Sequence, residues 1–88
     1  MDYRKELLEQ LRKYLAGGQT IKQFREWIKK NEAAIIAVKN DDLLKLFNHV
    51  AFGLDDLDSG HVVEKGLRKT WQRMLNALIM AEGKRPAV

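Results

Sequence analysis

Cysteine is absent from this chain. Disulfides, thiolate zinc sites and cysteine nucleophiles are therefore excluded together, and nothing calls for an oxidising compartment. The first residues, MDYRKELLEQL, are charged throughout and lack the apolar run of a secretory signal. No stretch approaches the roughly 18 apolar residues of a membrane span. Strand signals are missing as well: no β-branched run alternates with polar residues, and no turn is flanked by two such runs. Internal repeats and low-complexity tracts do not occur. Together these absences lead to the expectation of a cytoplasmic, all-α protein that spans no membrane.

What is present is helical periodicity. Tyr3, Leu7, Leu8, Leu11, Tyr14 and Leu15 fall on one face of a first helix, which Gly17 and Gly18 should stop because glycine enters the left-handed conformation at little steric cost. Thr20 with Gln23 three positions on reads as a capping box for a second helix, whose inward face is Ile21, Phe24, Trp27 and Ile28. At Asn31 the pattern is ambiguous. Glu32 follows it and alanines follow that, so the segment carrying Ala34, Ile35 and Val38 is expected to be kinked or split from the second helix near Asn31. Asn40, Asp41 and Asp42 form a strong start signal for a third helix, a cap oxygen followed by carboxylates at the positive end of the helix dipole. Its stripe is Leu43, Leu46, Phe47, Val50 and Leu54. Gly53 interrupts that stripe at a cost of about 1 kcal/mol relative to alanine, which is tolerable where two helices approach closely. Asp58 or Ser59 is expected to cap a fourth helix running to about Ala81, with Val63, Leu67, Trp71, Met74, Leu75 and Leu78 inward.

The expected fold is thus an antiparallel four-helix bundle in a single domain over residues 1–83, with a flexible tail over 84–88 after Gly83. A chain of 88 residues holds one modest core.

Charge supplies two candidate surfaces. Asp55, Asp56, Asp58 and Glu64 bracket the turn between the third and fourth helices, and like charges held together favour a basic partner. Asp55 and Asp56 also lie near a helix C-terminus, where the dipole disfavours them. The ordinary alternative is that Asp58 caps a helix while the other two are simply hydrated. The second surface is basic, in keeping with a net charge of +4: Lys65, Lys69 and Arg73 recur every four residues with Arg68 beside them, a row able to grip nucleic-acid phosphates. The exposed aromatics expected of a single-strand binder are missing, and no helix-turn-helix is apparent.

Enzymatic chemistry is not expected, since no nucleophile–base set, phosphate loop or cofactor motif is present. DLDSGH has the look of a calcium loop. Counted from Asp56, however, it puts His61 where glycine is needed and Leu67 where a bidentate carboxylate is needed, so no metal site is expected. His61 and Glu64 lie one turn apart and could pair. Phe52, Val62 and Ile79 are left outside the apolar stripes, which allows a homodimer.

The run LRKYLAGGQTIKQF, Leu11 to Phe24, resembles the opening of small bacterial immunity proteins of the colicin D immunity type. The likeness rests on Leu11, Tyr14, Leu15, Thr20, Ile21 and Phe24, and more loosely on LLKLF and LRKTWQRML. The resemblance implies a helical bundle that plugs the active site of a nuclease toxin with acidic side chains placed where RNA phosphate would lie. On that footing Asp55, Asp56, Asp58 and Glu64 are the residues expected to meet a basic toxin domain.

Overall fold

Asp2 opens the first helix, α1 (Tyr3–Leu15), by accepting the Lys5 amide at 3.2 Å on its side chain. Its other end closes in a Schellman motif. Gly18 N–H donates to Lys13 O at 2.7 Å and Gly17 N–H to Tyr14 O at 3.0 Å, with Gly17 at φ +84°. The capping box at Thr20 and Gln23 is formed in both directions, at 3.1 and 2.9 Å, and begins α2 (Ile21–Val38). The Asn40 side chain accepts the Leu43 amide at 3.0 Å to begin α3 (Asp41–Asp58), and α4 (Glu64–Gly83) is the fourth helix. The computed structural model describes residues 2–83. The tail expected over 84–88 lies outside the described residues, which contain no strand.

The four helices are joined by the short connections 16–20, 39–40 and 59–63, so each helix runs back along the one before. The last turn of α1 meets the first of α4, and an antiparallel four-helix bundle results. Three rings tie the helices together. Tyr14 of α1 stacks on Phe24 of α2 with centroids 5.8 Å apart, and Trp71 of α4 meets both edge-on at 5.9 and 5.5 Å. Each such pair adds about 0.5–1.5 kcal/mol to the burial of its surface. α3 seals the core with Leu43, Leu46, Phe47, Val50 and Leu54, all buried.

Three expectations need correction. First, α2 is not split at Asn31. The helix runs unbroken from Ile21 to Val38, and the Asn31 amide donates to Trp27 O at 2.8 Å, bonding the preceding turn instead of capping a new one. Glu32, Ala33 and Ala34 are strong helix formers that carry the helix onward.

Second, neither Asp58 nor Ser59 caps α4. Gly60 at φ +78° belongs to the end of α3, where a second Schellman motif sends His61 N–H to Asp56 O at 2.9 Å and Gly60 N–H to Leu57 O at 3.2 Å. Helix α4 therefore starts only at Glu64, and Val63 stands just outside it at 70% exposure instead of in the core.

Third, Val38 faces solvent and Trp27 is only half-buried. The 13 residues of α1 leave the last turn of the 18-residue α2 uncovered by that neighbour.

Gly53 sits on the side of α3 that packs against Leu67 and Trp71 of α4. A Cβ built there would lie 2.8 Å from Leu67 Cδ1 and 3.1 Å from Trp71 Nε1. The glycine is what lets the indole lie against the α3 backbone, and the Trp71 Nε1 is buried there without a hydrogen-bond partner.

Candidate protein-binding surface at the turn between α3 and α4

Asp55 and Asp58 are one turn apart, so they share a side of α3, whereas Asp56 is rotated by about 100° from Asp55. The acidic cluster is split accordingly. Asp58 faces α2 and accepts from Arg25 Nη2 at 2.5 Å, and Asp55 lines the same cleft beside Arg25 and Lys29. That cleft, about 180 Å³, has Ile28, Phe47 and Leu54 on its apolar wall. Arg25 reaches Asp58 while its Nε stays buried and unpartnered.

Asp56 points to the other side of α3, toward α4. Its Oδ1 lies 3.9 Å from His61 Nδ1, too long for a hydrogen bond, and His61 is held by the Ser59 hydroxyl at 2.8 Å. Ser59 in turn donates toward the carbonyls of Asp55 and Asp56 at 3.0 and 3.3 Å. The expected pairing of His61 with Glu64 is not made. Glu64 Oε1 instead accepts the Tyr14 hydroxyl at 2.9 Å, across to α1. Burial, together with that carboxylate, pushes the Tyr14 hydroxyl up to about 12, and nearby Arg68 opposes the rise only in part.

Two of the four acidic residues are thus taken up internally, Asp58 by Arg25 and Glu64 by Tyr14. Asp55 and Asp56 remain exposed in the last turn of α3, which has no basic residue to offset the negative end of the helix dipole. Beside Asp56, a groove of about 210 Å³ between α3 and α4 is lined by His49, Phe52, Gly53, Val62, Thr70 and Trp71. Phe52 is 65% exposed on its rim.

The basic row divides as well. Arg68 donates to Leu15 O at 2.9 Å and lies 5.0 Å over the Tyr14 ring, so it closes the end of α1. Lys65, Lys69 and Arg73 remain exposed along α4, and among the described residues they enter no ion pair. No group of three or more His, Cys, Asp or Glu among the described residues is placed to hold a metal ion, and none of their helices is long and apolar enough to cross a membrane.

Sequence reasoning missed Arg25 as the neutraliser of Asp58 and Tyr14 as the partner of Glu64. No local signal could have found either, because the pairs lie 33 and 50 residues apart. Comparison with family models, curated proteins and solved structures finds no match to this chain.

Proposed function

We propose that this chain is a non-enzymatic protein-binding module that docks a basic partner at the turn between α3 and α4. The observation that carries the reading is the neighbourhood of exposed carboxylates and exposed apolar surface: Asp55 and Asp56 stand in the same last turns of α3 as Phe52, 65% exposed, with Val63 beyond the turn at 70%. Carboxylates at a helix C-terminus are relieved by an incoming cation. An exposed aromatic beside a groove is the usual anchor of a protein interface. The likeness of Leu11–Phe24 to colicin D immunity proteins supports a nuclease toxin domain with a basic cleft as the partner, and makes toxin neutralisation the role. The protein is titrated with basic nuclease domains by calorimetry. Charge reversal of Asp55 and Asp56 together should weaken a complex that forms by about tenfold or more, and an unchanged affinity removes both residues from the mechanism.

A second reading rests on the free row Lys65, Lys69 and Arg73, which is spaced to follow a phosphate backbone. It expects binding to RNA or DNA that weakens steeply with salt and is weakened in Lys69→Glu. Absence of any shift at low salt ends it.

A further inference from the structure

Along α3 the exposed residues Lys45, His49, Phe52 and Asp56 follow one another at steps of four, three and four. That spacing keeps all four side chains within about 60° of one another around the helix. Lys45 stands in the first half of this stripe, one turn after the exposed carboxylates of Asp41 and Asp42, and Asp56 stands in its last turn, with the ring of Phe52 between them. Beside the stripe runs the groove floored by Gly53 and Trp71.

We infer that this face pairs with a second copy of the same chain, α3 against α3 in antiparallel orientation, about a two-fold axis crossing the helix between Val50 and Ala51. That register sets Lys45 of one copy opposite Asp56 of the other, twice. It also sets His49 opposite Phe52, twice, at the margins of the two grooves. A different occupant would have to present acid and base at matching spacing, about 16 Å apart along a helix. A second copy turned end for end does so by construction, which is the property of an isologous interface. Parallel stacking would place lysine on lysine and aspartate on aspartate, so charge selects the antiparallel form.

The 18 residues of α3 are about 27 Å long, and with α4 alongside the face offers on the order of 500 Å² per copy. Two such faces bury about 1,000 Å² in all, below the range of stable interfaces and within that of weak, transient ones. The dimer is therefore reversible, forming at roughly micromolar or higher concentration. This inference needs no other protein and stands apart from docking of a basic partner, with which it competes for Asp56.

Sedimentation of the purified full chain tests it over roughly 1 μM to 1 mM. The wild type should pass from monomer to dimer. Lys45→Glu and Asp56→Lys should each weaken the association by about tenfold or more, and the Lys45→Glu/Asp56→Lys exchange should restore it to within a few-fold. Phe52→Ser should weaken it too. Circular dichroism verifies that each variant keeps its helices, as expected for exposed positions. A single species of monomer mass across the range overturns the inference, as does a dimer indifferent to the single reversals or not rescued by the exchange. Lys45 lies away from the acidic turn, so Lys45→Glu should leave binding of a basic nuclease domain intact, which keeps the fate of this inference separable from that of the proposed function.

Discussion

The Tyr14 hydroxyl donates to Glu64 Oε1 at 2.9 Å, joining α1 to the first turn of α4 across 50 residues of chain. Arg68, one turn after Glu64, lies over the same ring and closes the α1 C-terminus through Leu15 O. One end of the bundle is thus latched by a buried phenol, a carboxylate and a guanidinium. That is why Glu64 and Arg68 contribute to the fold and are withdrawn from either charged surface.

Burial of the Tyr14 phenol, with the Glu64 carboxylate beside it, gives stability a pH dependence at the alkaline end. The folded-state pKa of Tyr14, about 12, lies above the ordinary 10.0, so the folded protein holds that proton more tightly than the unfolded chain does. The contribution is complete below pH 10 and is lost as the pH rises toward 12. It amounts to about 2–3 kcal/mol at 1.36 kcal/mol per pH unit. Urea denaturation across this range should show the loss in the wild type and a flatter profile in Tyr14→Phe. At neutral pH that variant should be about 1 kcal/mol less stable.

Gly53→Ala should destabilise the protein, although alanine is the better helix former by about 1 kcal/mol. The added methyl would meet Leu67 Cδ1 at 2.8 Å and the Trp71 indole at 3.1 Å. Trp71 is fully buried and fixed by Tyr14 and Phe24, so it has little room to yield. A net loss of about 1–3 kcal/mol in chemical denaturation is expected. A gain would mean that α3 and α4 separate at little cost.

Lys39→Gly should stabilise. Lys39 ends α2 in the left-handed conformation, φ 55°, which costs a residue with a Cβ about 1–2 kcal/mol. Glycine avoids most of that strain but loses more chain entropy on folding, leaving an expected gain of about 0.5–1 kcal/mol in thermal or urea unfolding.

Asn31→Ala should change stability by no more than about 0.5 kcal/mol, because the lost side-chain bond to Trp27 O and the gained helix propensity nearly cancel. Amide exchange should show equal protection on both sides of position 31. A sharp break in protection there would restore the split-helix expectation.

The Arg25–Asp58 bridge should be worth little. Both side chains are partly exposed, at 27% and 56%, so solvent screens the pair. A double-mutant cycle with Arg25→Ala and Asp58→Ala should give a coupling of about 1 kcal/mol or less, falling as salt rises. Its larger effect would be on binding, since loss of Arg25 frees a third carboxylate at the turn and should strengthen capture of a basic partner.

Much of the architecture was written locally. The Asp41 and Asp42 start signal, the Thr20–Gln23 capping box, the glycines at 17 and 18 and the stripe from Leu43 to Leu54 each depend on residues within a few positions of one another, and each is present in the fold. Local signals misled where two elements competed for one residue. Asp58 and Ser59 read as the cap of α4, and the Schellman bonds to Asp56 and Leu57 gave that turn to the end of α3 instead. The same decision removed Val63 from the core.

The sequence by itself determined that this protein is helical, where three of its four helices begin, and which side chains are buried at its centre, because helix periodicity and capping act over a turn or two. Only the tertiary structure decided which charges are spent and which are free. Asp58, Glu64 and Arg68 are bound by groups 33, 50 and 53 residues away, and Asp55, Asp56, Lys65, Lys69 and Arg73 are left to the surface. Such pairings depend on how helices distant in the chain are brought side by side, and that is settled by the packing of Tyr14, Phe24 and Trp71 and not by any neighbouring residue.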